Sequence, residues 1–336
     1  MVVTGNDFGW SRRVALIGGR GFAGGEFLGL MQAHPALELA VATSGSRAGM
    51  RLREVAPGWT DPEERLAALK PEQVAGIEAG IWVLALPNGA SPAWVQAIEA
   101  AHPRAVIIDL GSDFRHAEDW VYGLTEWNRA GLAGARRIAN PGCYATGAQF
   151  GLLPIRELLA GPPVIFGVSG YSGAGRAPTE RNDPQRLADN LIPYALTGHG
   201  HELEISARLG RPVRFHPHVA QFFRGISLTI AVKLTEPATP EMLLERFADS
   251  YSGEPLIRVA TQIPEIRGVA GSPSLHLGGF AVDARDSHRA SFVVVLDNLL
   301  KGAASQALQN INVSLGLDEL AGVQSGKGSQ ALGERQ

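Results

Sequence analysis

The stretch Arg13-Val14-Ala15-Leu16-Ile17-Gly18-Gly19-Arg20-Gly21-Phe22-Ala23-Gly24-Gly25-Glu26 decides the fold. Arg13–Gly18 is a short apolar run ending in glycine, the pattern of a buried strand. Gly19, Gly21 and Gly24 then follow the G-x-G-x-x-G spacing, Gly18, Gly21 and Gly24 a looser one, and both lead into a helix start. Glycines there allow a tight turn and let backbone N–H groups approach a pyrophosphate at the helix N-terminus. In a chain with 41 glycines the spacing alone says little; the strand before it and the helix after it give it weight. A dinucleotide is therefore expected along Gly18, Gly19, Arg20, Gly21, Phe22, Ala23 and Gly24.

Outward from this turn, Leu37–Ser44 reads as a second strand. An NAD site usually carries an acid at its end for the ribose hydroxyls. Here Ser44, Ser46 and Arg47 stand there instead, and hydroxyls with a guanidinium suit a 2′-phosphate, hence NADP(H). A solvated loop with an incidental arginine is the plainer alternative. Ile81–Leu86 and Ala105–Leu110 are further apolar strands, separated by a helix expected to have Ser91 as its cap and Pro92 at its first position. Strand–helix alternation means a Rossmann-type, doubly wound parallel sheet. The turn Leu86–Ser91 and the segment Gly111–Arg115 leave carboxyl strand ends, where such sheets place ligands.

The only cysteine of the 336 residues lies in Asn140-Pro141-Gly142-Cys143-Tyr144-Ala145-Thr146. Pro141 and Gly142 force a turn, and Tyr144–Ile155 reads as a helix despite two glycines. A thiol at a strand-to-helix turn meets unpaired N–H groups and the positive end of the helix dipole, which lowers its pKa from ~8.5. A small buried hydrophobe is the bland reading of the same residue. Beyond it the texture becomes α+β. Val164–Val168 reads as a strand, Val213–His218, Ile226–Leu234 and Ser291–Leu296 resemble antiparallel strands, and Thr239–Phe247 is a capped amphipathic helix. Ser169–Arg176 is a loop of small residues ending in a cation, able to gather N–H groups and hydroxyls around an anion. His199-Gly200-His201 precedes an acidic helix start at Glu202. Lys301–Asn312 is a small-residue helix suited to close packing. Residues 1–11 are expected to be a flexible leader without the apolar core of a signal peptide, and 319–336 a flexible tail.

Thirty basic against 33 acidic residues give a charge of −3, which favours neither nucleic acid nor a membrane surface. One cysteine excludes a disulfide framework, and the apolar runs are too short to span a bilayer. A cytoplasmic protein is the expectation. A dinucleotide fold with a turn-borne thiol suggests attack on an activated acyl carbon or aldehyde, with hydride exchange at nicotinamide and a proton shuttle from His199 or His201. The rivals are a zinc site assembled from His199, His201, Glu202, His216 and His218, and an NADP sensor without turnover. Neither histidine pair has the i, i+4 spacing of a helical metal site, so no metal is expected.

Asn140–Thr146, Ser169–Arg176, His199–Ile205 and Lys301–Asn312, with Gly18–Glu26 and Thr43–Gly49, together resemble the N-acetyl-γ-glutamyl-phosphate reductases of arginine biosynthesis. The matches run from Arg13 to about Gly316 in the family's order. The resemblance implies an NADPH-dependent reductase of the semialdehyde dehydrogenase superfamily. Its nucleotide domain would cover 1–142, completed by a helix over 299–318, and its catalytic and dimerisation domain, with a mostly antiparallel sheet, 143–298. It implies a homodimer or homotetramer. Cys143 would attack the acyl phosphate and expel phosphate, with His201 as acid/base and His199 in reserve. Arg176, Ser169, Ser172, Arg115, Asn140 and Glu204 would contact substrate, and Pro87, Ser172 and Gly173 would add to the cofactor site. Departures from the family pattern fall at Asn88, Ala145, Gly200, Leu203 and 265–272, which leaves open another N-acylated glutamyl or aminoadipyl phosphate. Aspartate-semialdehyde dehydrogenase shares the chemistry but lacks the Pro-Gly-Cys-Tyr sequence.

Overall fold

A computed structural model describes residues 12–323; the expected leader over 1–11 and most of the expected tail lie outside the described residues. The chain divides into two compact units, one running to Pro141 and resuming at Ala303, the other spanning Gly142–Gly302.

The first unit opens with β1 (Arg13–Ile17), α1 (Phe22–Gln32) and β2 (Glu38–Thr43). It continues through β3 (Ile81–Leu84), α2 (Ser91–Ala101), β4 (Val106–Asp109), β5 (Val121–Tyr122), α3 (Thr125–Leu132) and β6 (Arg137–Ala139). Six strands in the order β2-β1-β3-β4-β6-β5 form one sheet, every pairing parallel. All residues of β3 and β4 are buried, as a sheet covered on both faces requires. Trp82, Leu84 and Ile107 meet Val95 and Ile98 of α2 in its core. This is the doubly wound sheet expected from the glycine turn.

One local expectation changes. Ser91 is the first residue of α2 rather than its cap, and Ala90 takes the cap position with no capping side chain of its own. Asp113 supplies the missing acceptor from the next loop, receiving N–H bonds from Gly89 at 2.7 Å and Ser91 at 3.1 Å. The Ser91 hydroxyl turns inward and donates to buried Asp109 at 2.7 Å. The buried carboxyl group takes the hydroxyl as its hydrogen-bond donor, so the hydroxyl does not serve as an acceptor for the helix amides.

The second unit contains α4 (Cys143–Leu152), β7 (Val164–Gly170), α5 (Pro184–Leu187), β8 (Leu191–Pro193), α6 (Gly200–Leu209) and β9 (Arg214–Ala220). After them come β10 (Ile226–Lys233), α7 (Pro240–Ser250), β11 (Ile257–Val259), β12 (Leu275–Asp283) and β13 (Asp286–Leu296). Its sheet runs β11-β12-β13-β10-β7-β9-β8 and is mostly antiparallel. The exceptions are β7 with β9 and β11 with β12, which pair parallel, so Val213–His218 does not join its β7 neighbour in the antiparallel sense expected. The helix expected over Tyr144–Ile155 begins one residue earlier and gives way at Leu153 to a tighter 3-10 stretch through Leu158, where Pro154 removes a helical donor.

The two glycines of α4 explain how it lies on the sheet. A Cβ at Gly147 would come within 2.8 Å of Leu228 and Leu296, and one at Gly151 within 2.5 Å of Ile230. The helix carrying Cys143 is thus seated on β10 and β13 at a distance no other residue permits.

The chain returns to the first unit through a π turn, Leu300–Ala304, and α8 (Ser305–Ser314). α8 is buried on nearly all sides although six of its side chains are amides or hydroxyls. Asn310 donates to Gly123 O at 2.8 Å and to Asn140 Oδ1 at 3.0 Å, and Gln309 donates to Glu126 and Glu319. The tail expected to be flexible from 319 is held through 323: Arg129 pairs with both oxygens of Glu319, and Val323 is fully buried. Polar composition suggested otherwise because its partners lie far away in sequence.

Candidate active site

Cys143 is the first residue of α4, half-buried, with Gly142 at the cap position and no side chain capping the helix. The turn is instead held from behind: Glu204 of α6, 1% exposed, accepts the Gly142 N–H at 2.9 Å. Glu204 was expected to touch substrate; burial and this bond make it a support of the cysteine turn. On the other side, Gly302 of the π turn lies so close that a Cβ there would stand 2.8 Å from Cys143 Cβ.

Two tyrosines on which the charge at Cys143 bears, Tyr144 and Tyr194, pack against two histidines. His199 caps α6, its Nδ1 accepting the His201 N–H at 3.1 Å. That bond leaves Nε2 to carry the proton of the neutral ring. The His199 and His201 rings are 4.9 Å apart, and His201 lies 5.9 Å from the Tyr144 ring. Tyr144 donates to His218 O at 2.8 Å, and the Tyr194 ring lies 5.5 Å from His199. Burial, with the nearby Arg181 charge, lowers the His199 pKa below its ordinary value, while Glu202 and Glu204 oppose the shift. Burial pushes Tyr194 up to about 12, and the charge at Cys143 adds to it. Tyr144 is raised well above its usual value for the same leading reason. Both phenols therefore keep their protons at neutral pH, that of Tyr144 being committed to His218 O.

The expected anion loop is more ordered than its composition suggested. Ser169 and Gly170 end β7, and Tyr171–Ala174 forms a 3-10 turn. Ser169 donates to Gly170 O at 2.9 Å, and the Ser172 hydroxyl accepts from Asn298 at 2.9 Å, so both hydroxyls are engaged within the protein. Asn182 closes the following loop, accepting from Thr179 N and donating to Gly175 O and Ala177 O. That closure presents Arg176 at one end and Arg181 at the other.

Two expected substrate contacts are drawn elsewhere. Arg115, buried in the first unit, donates to Asn140 O at 3.0 Å and Leu110 O at 3.1 Å. Asn140, 1% exposed, donates to Ala303 O at 3.2 Å and accepts from Asn310. Both brace the chain entering the cysteine turn, because buried polar groups must first satisfy one another.

The first unit has the cradle a dinucleotide needs. Gly18 adopts φ +94°, and a Cβ there would collide with Ala85 O at 2.2 Å; one at Gly24 would meet Gly18 O at 2.7 Å. Gly21 caps α1 without a capping side chain, so the helix N-terminus is left to a ligand's phosphates. At the end of β2, Ser44 Oγ accepts from Arg47 N, and Arg20 donates to Ser46 Oγ at 3.0 Å. Two guanidiniums, Arg20 and Arg47, thus border one hydroxyl-bearing loop. Pro87 is exposed in its turn and accepts the Ala90 N–H.

The metal alternative finds no support. Glu202 accepts from Gly198 N and Phe215 N, and no three His, Cys, Asp or Glu residues among the described residues are placed to hold an ion. No helix among them is long and apolar enough to cross a membrane.

Family models match both units: the semialdehyde dehydrogenase NAD-binding domain over residues 13–135 and its dimerisation domain over 143–298. An N-acetyl-gamma-glutamyl-phosphate reductase of Xanthomonas campestris pv. campestris is 48% identical over 310 residues, 92% of this chain and 98% of that protein. The chain belongs to the N-acetyl-γ-glutamyl-phosphate reductase family. It is an oxidoreductase of the semialdehyde dehydrogenase type. A Schizosaccharomyces pombe protein named Protein arg11, mitochondrial, is 48% identical over 93% of this chain but only 35% of its own length. Among solved structures, aspartate semialdehyde dehydrogenase II of Vibrio cholerae complexed with ASA shares the fold at a TM-score of 0.73 and 22% identity, covering 91% of this chain and 98% of that one. The Candida albicans enzyme with NADP does so at 0.68 and 17%, again over 91% and 98%.

The departures from the family pattern now have places. Leu203 is 59% exposed and Gly200 is also at the surface, outside the ring cluster, while Ala145 is packed inside α4. Asn88 is exposed and accepts from Ser112 N at 3.4 Å. Sequence reasoning did not single out Tyr194 or Arg181. The aromatic residue just before the histidine pair was the available signal for the first; Arg181 had none.

Proposed function

We propose that the protein reduces N-acetyl-γ-glutamyl phosphate to the corresponding semialdehyde with NADPH, through a thioester on Cys143, as a step of arginine biosynthesis. The observation that carries this is Cys143 at an uncapped helix start next to Tyr144, whose ring packs in one cluster with His199, His201 and Tyr194. His201 takes the thiol proton, the sulfur forms a bond to the γ-carbonyl carbon, and the carbon–oxygen bond to phosphate breaks. Phosphate leaves with the electron pair and receives the proton from His201. NADPH, when bound, supplies the hydride that reduces the thioester. Carbonyl re-formation then expels the sulfur, and a proton from solvent restores the thiol. His201 is preferred over His199 because His199 Nδ1 is held by the His201 amide, so its remaining nitrogen can donate but not accept. The α4 amides and the Tyr194 phenol are the donors available to the developing oxyanion.

NADP is preferred over NAD in this reading, since Arg20 and Arg47 with Ser44 and Ser46 suit a 2′-phosphate and no acid stands at the end of β2. Arg176 is the cation assigned to the departing phosphate. A homo-oligomer through the exposed face of the second unit's sheet accompanies it.

The test runs in reverse because acyl phosphates hydrolyse. Purified protein is mixed with N-acetylglutamate semialdehyde, phosphate and NADP, and absorbance is followed at the NADPH band. A phosphate-dependent rise that disappears in Cys143→Ser is expected. No rise with this semialdehyde, but a rise with a longer N-acylated one, would move the substrate and keep the chemistry.

A further inference from the structure

Among the described residues, Arg181 at the ring cluster has no counter-charge. Arg181 lies with its guanidinium carbon 4.9 Å from the centroid of the Tyr194 ring, whose other neighbour is His199 at 5.5 Å. The acid beside it in sequence, Glu180, is taken by Arg186, and among the described residues no carboxylate pairs with Arg181. Glu202 and Glu204, the acids of the nearby helix, are occupied by backbone amides. Asn182 fixes the loop that carries Arg181, and Thr179 Oγ1 accepts the Arg181 N–H at 3.3 Å, so this side chain is displayed rather than dangling. A half-buried guanidinium stacked on an aromatic face, without an acid, is a prepared carboxylate receptor.

We propose that Arg181 is a specificity-determining residue: its guanidinium, on the Tyr194 platform, binds the carboxylate at the end of the substrate remote from the reacting carbon. This rests on the functional reading above and adds to it the part of the substrate that is recognised. The leaving phosphate is attached to the carbon that the sulfur attacks, so its cation must sit next to the sulfur. The carboxylate lies four carbon–carbon bonds beyond that carbon, a reach of roughly 5 Å from ordinary bond lengths. Arg181 packs on Tyr194, which packs in turn on His199, so it joins the ring cluster one ring beyond the histidine, and that suits the far carboxylate rather than the phosphate. Arginine also distinguishes a free carboxylate from an amide or ester, because only the charged group accepts both parallel N–H bonds at full strength.

The experiment uses the full chain in the reverse direction with semialdehyde, phosphate and NADP varied separately. Arg181→Met is expected to raise KM for the semialdehyde at least tenfold, with KM for phosphate and for NADP within about twofold of the wild type. Arg181→Lys, which keeps the charge but loses the fork, should fall between. The α-amide of the semialdehyde should be as poor a substrate for the wild type as the acid is for Arg181→Met, and the variant should not discriminate between the two. A rise in KM for phosphate alone, an unchanged KM in a folded variant, or fully multiplicative losses from variant and amide would each overturn the assignment. A wild-type protein inactive on the semialdehyde would instead overturn the reaction itself. Matching thermal melts for both variants exclude simple misfolding.

Discussion

At Gly302 a single missing methyl group sets the position of the nucleophile. Gly302→Ala would place its Cβ 2.8 Å from Cys143 Cβ, so one of the two backbones must move. Displacements near 1 Å in a reacting group cost about 10²-fold in rate. The expected outcome is a kcat lowered by one to two orders of magnitude, with KM for NADP unaltered, measured in the reverse assay. His199 makes a prediction about protons. Its pKa is lowered first by burial and then by Arg181, while Glu202 and Glu204 pull the other way, with the Tyr144, Tyr194, Phe215 and His201 rings packed around it. Replacing Arg181 with Met should raise that pKa, which the titration of the His199 Cε1 proton in NMR spectra would read directly. No upward movement would mean that the two groups do not sense each other. Such charge pairs are invisible in the sequence: Arg181 and His199 are separated by α5 and β8, whereas the Pro-Gly-Cys turn announced itself through residue type alone.

The elements follow from patterns where geometry is regular and escape them where it is not. β1, β3 and β4 were legible as apolar runs, and the helix bearing Cys143 as a turn followed by small residues. β12 was not, because Gly278-Gly279 interrupts its alternation; Gly279 takes φ +67° and the ladder slips register between Gly278 and Ala281. Arg115 and Asn140 looked like ligand contacts because nothing in the chain reveals that α8 supplies Asn140 with a partner. Two consequences can be measured on elements. Gly151→Ala drives a methyl group into Ile230, Val294 and Phe292, and overpacking of this kind costs about 1–3 kcal/mol. A urea midpoint unchanged from the wild type would show that α4 can lift from the sheet at no cost. Asp297, fully buried, pairs with both ends of the Arg224 fork and accepts amides from Gly271, Leu299 and Leu300. Asp297→Ala strands a buried guanidinium and should destabilise the second unit by about 3–5 kcal/mol in chemical unfolding.

For the whole molecule, acid is the condition to which stability should respond. His34 in the first unit accepts from Ala36 N and Leu37 N through Nδ1 and bonds Asn312 through Nε2; burial lowers its pKa, as it does for His199 and His276. A histidine whose folded pKa is depressed contributes stability that is complete above its unfolded value near 6.5 and is lost as pH falls through the folded value. Melting temperature should therefore be flat from about pH 8 to 7 and decline below about 6.5, less steeply in His34→Gln. The C-terminal segment is a second point of leverage. Ending the chain at Leu317 removes the Glu319 pair with Arg129 and the buried Val323, an expected loss of roughly 2–4 kcal/mol from the first unit. An unaltered melt would return that segment to the role of a tail.

Gly142 and Gly302, the first and last residues of the second unit, flank the same cysteine: one is its immediate neighbour in the chain, the other abuts its Cβ. A module with adjacent ends can be inserted into another protein, or rejoined end to end and opened elsewhere, without stretching its fold. Here that suture coincides with the nucleophile. Rewiring the connectivity at these ends would therefore probe chemistry and folding in one stroke, whereas a new opening at an outlying loop such as Asp283–Asp286 should leave turnover alone.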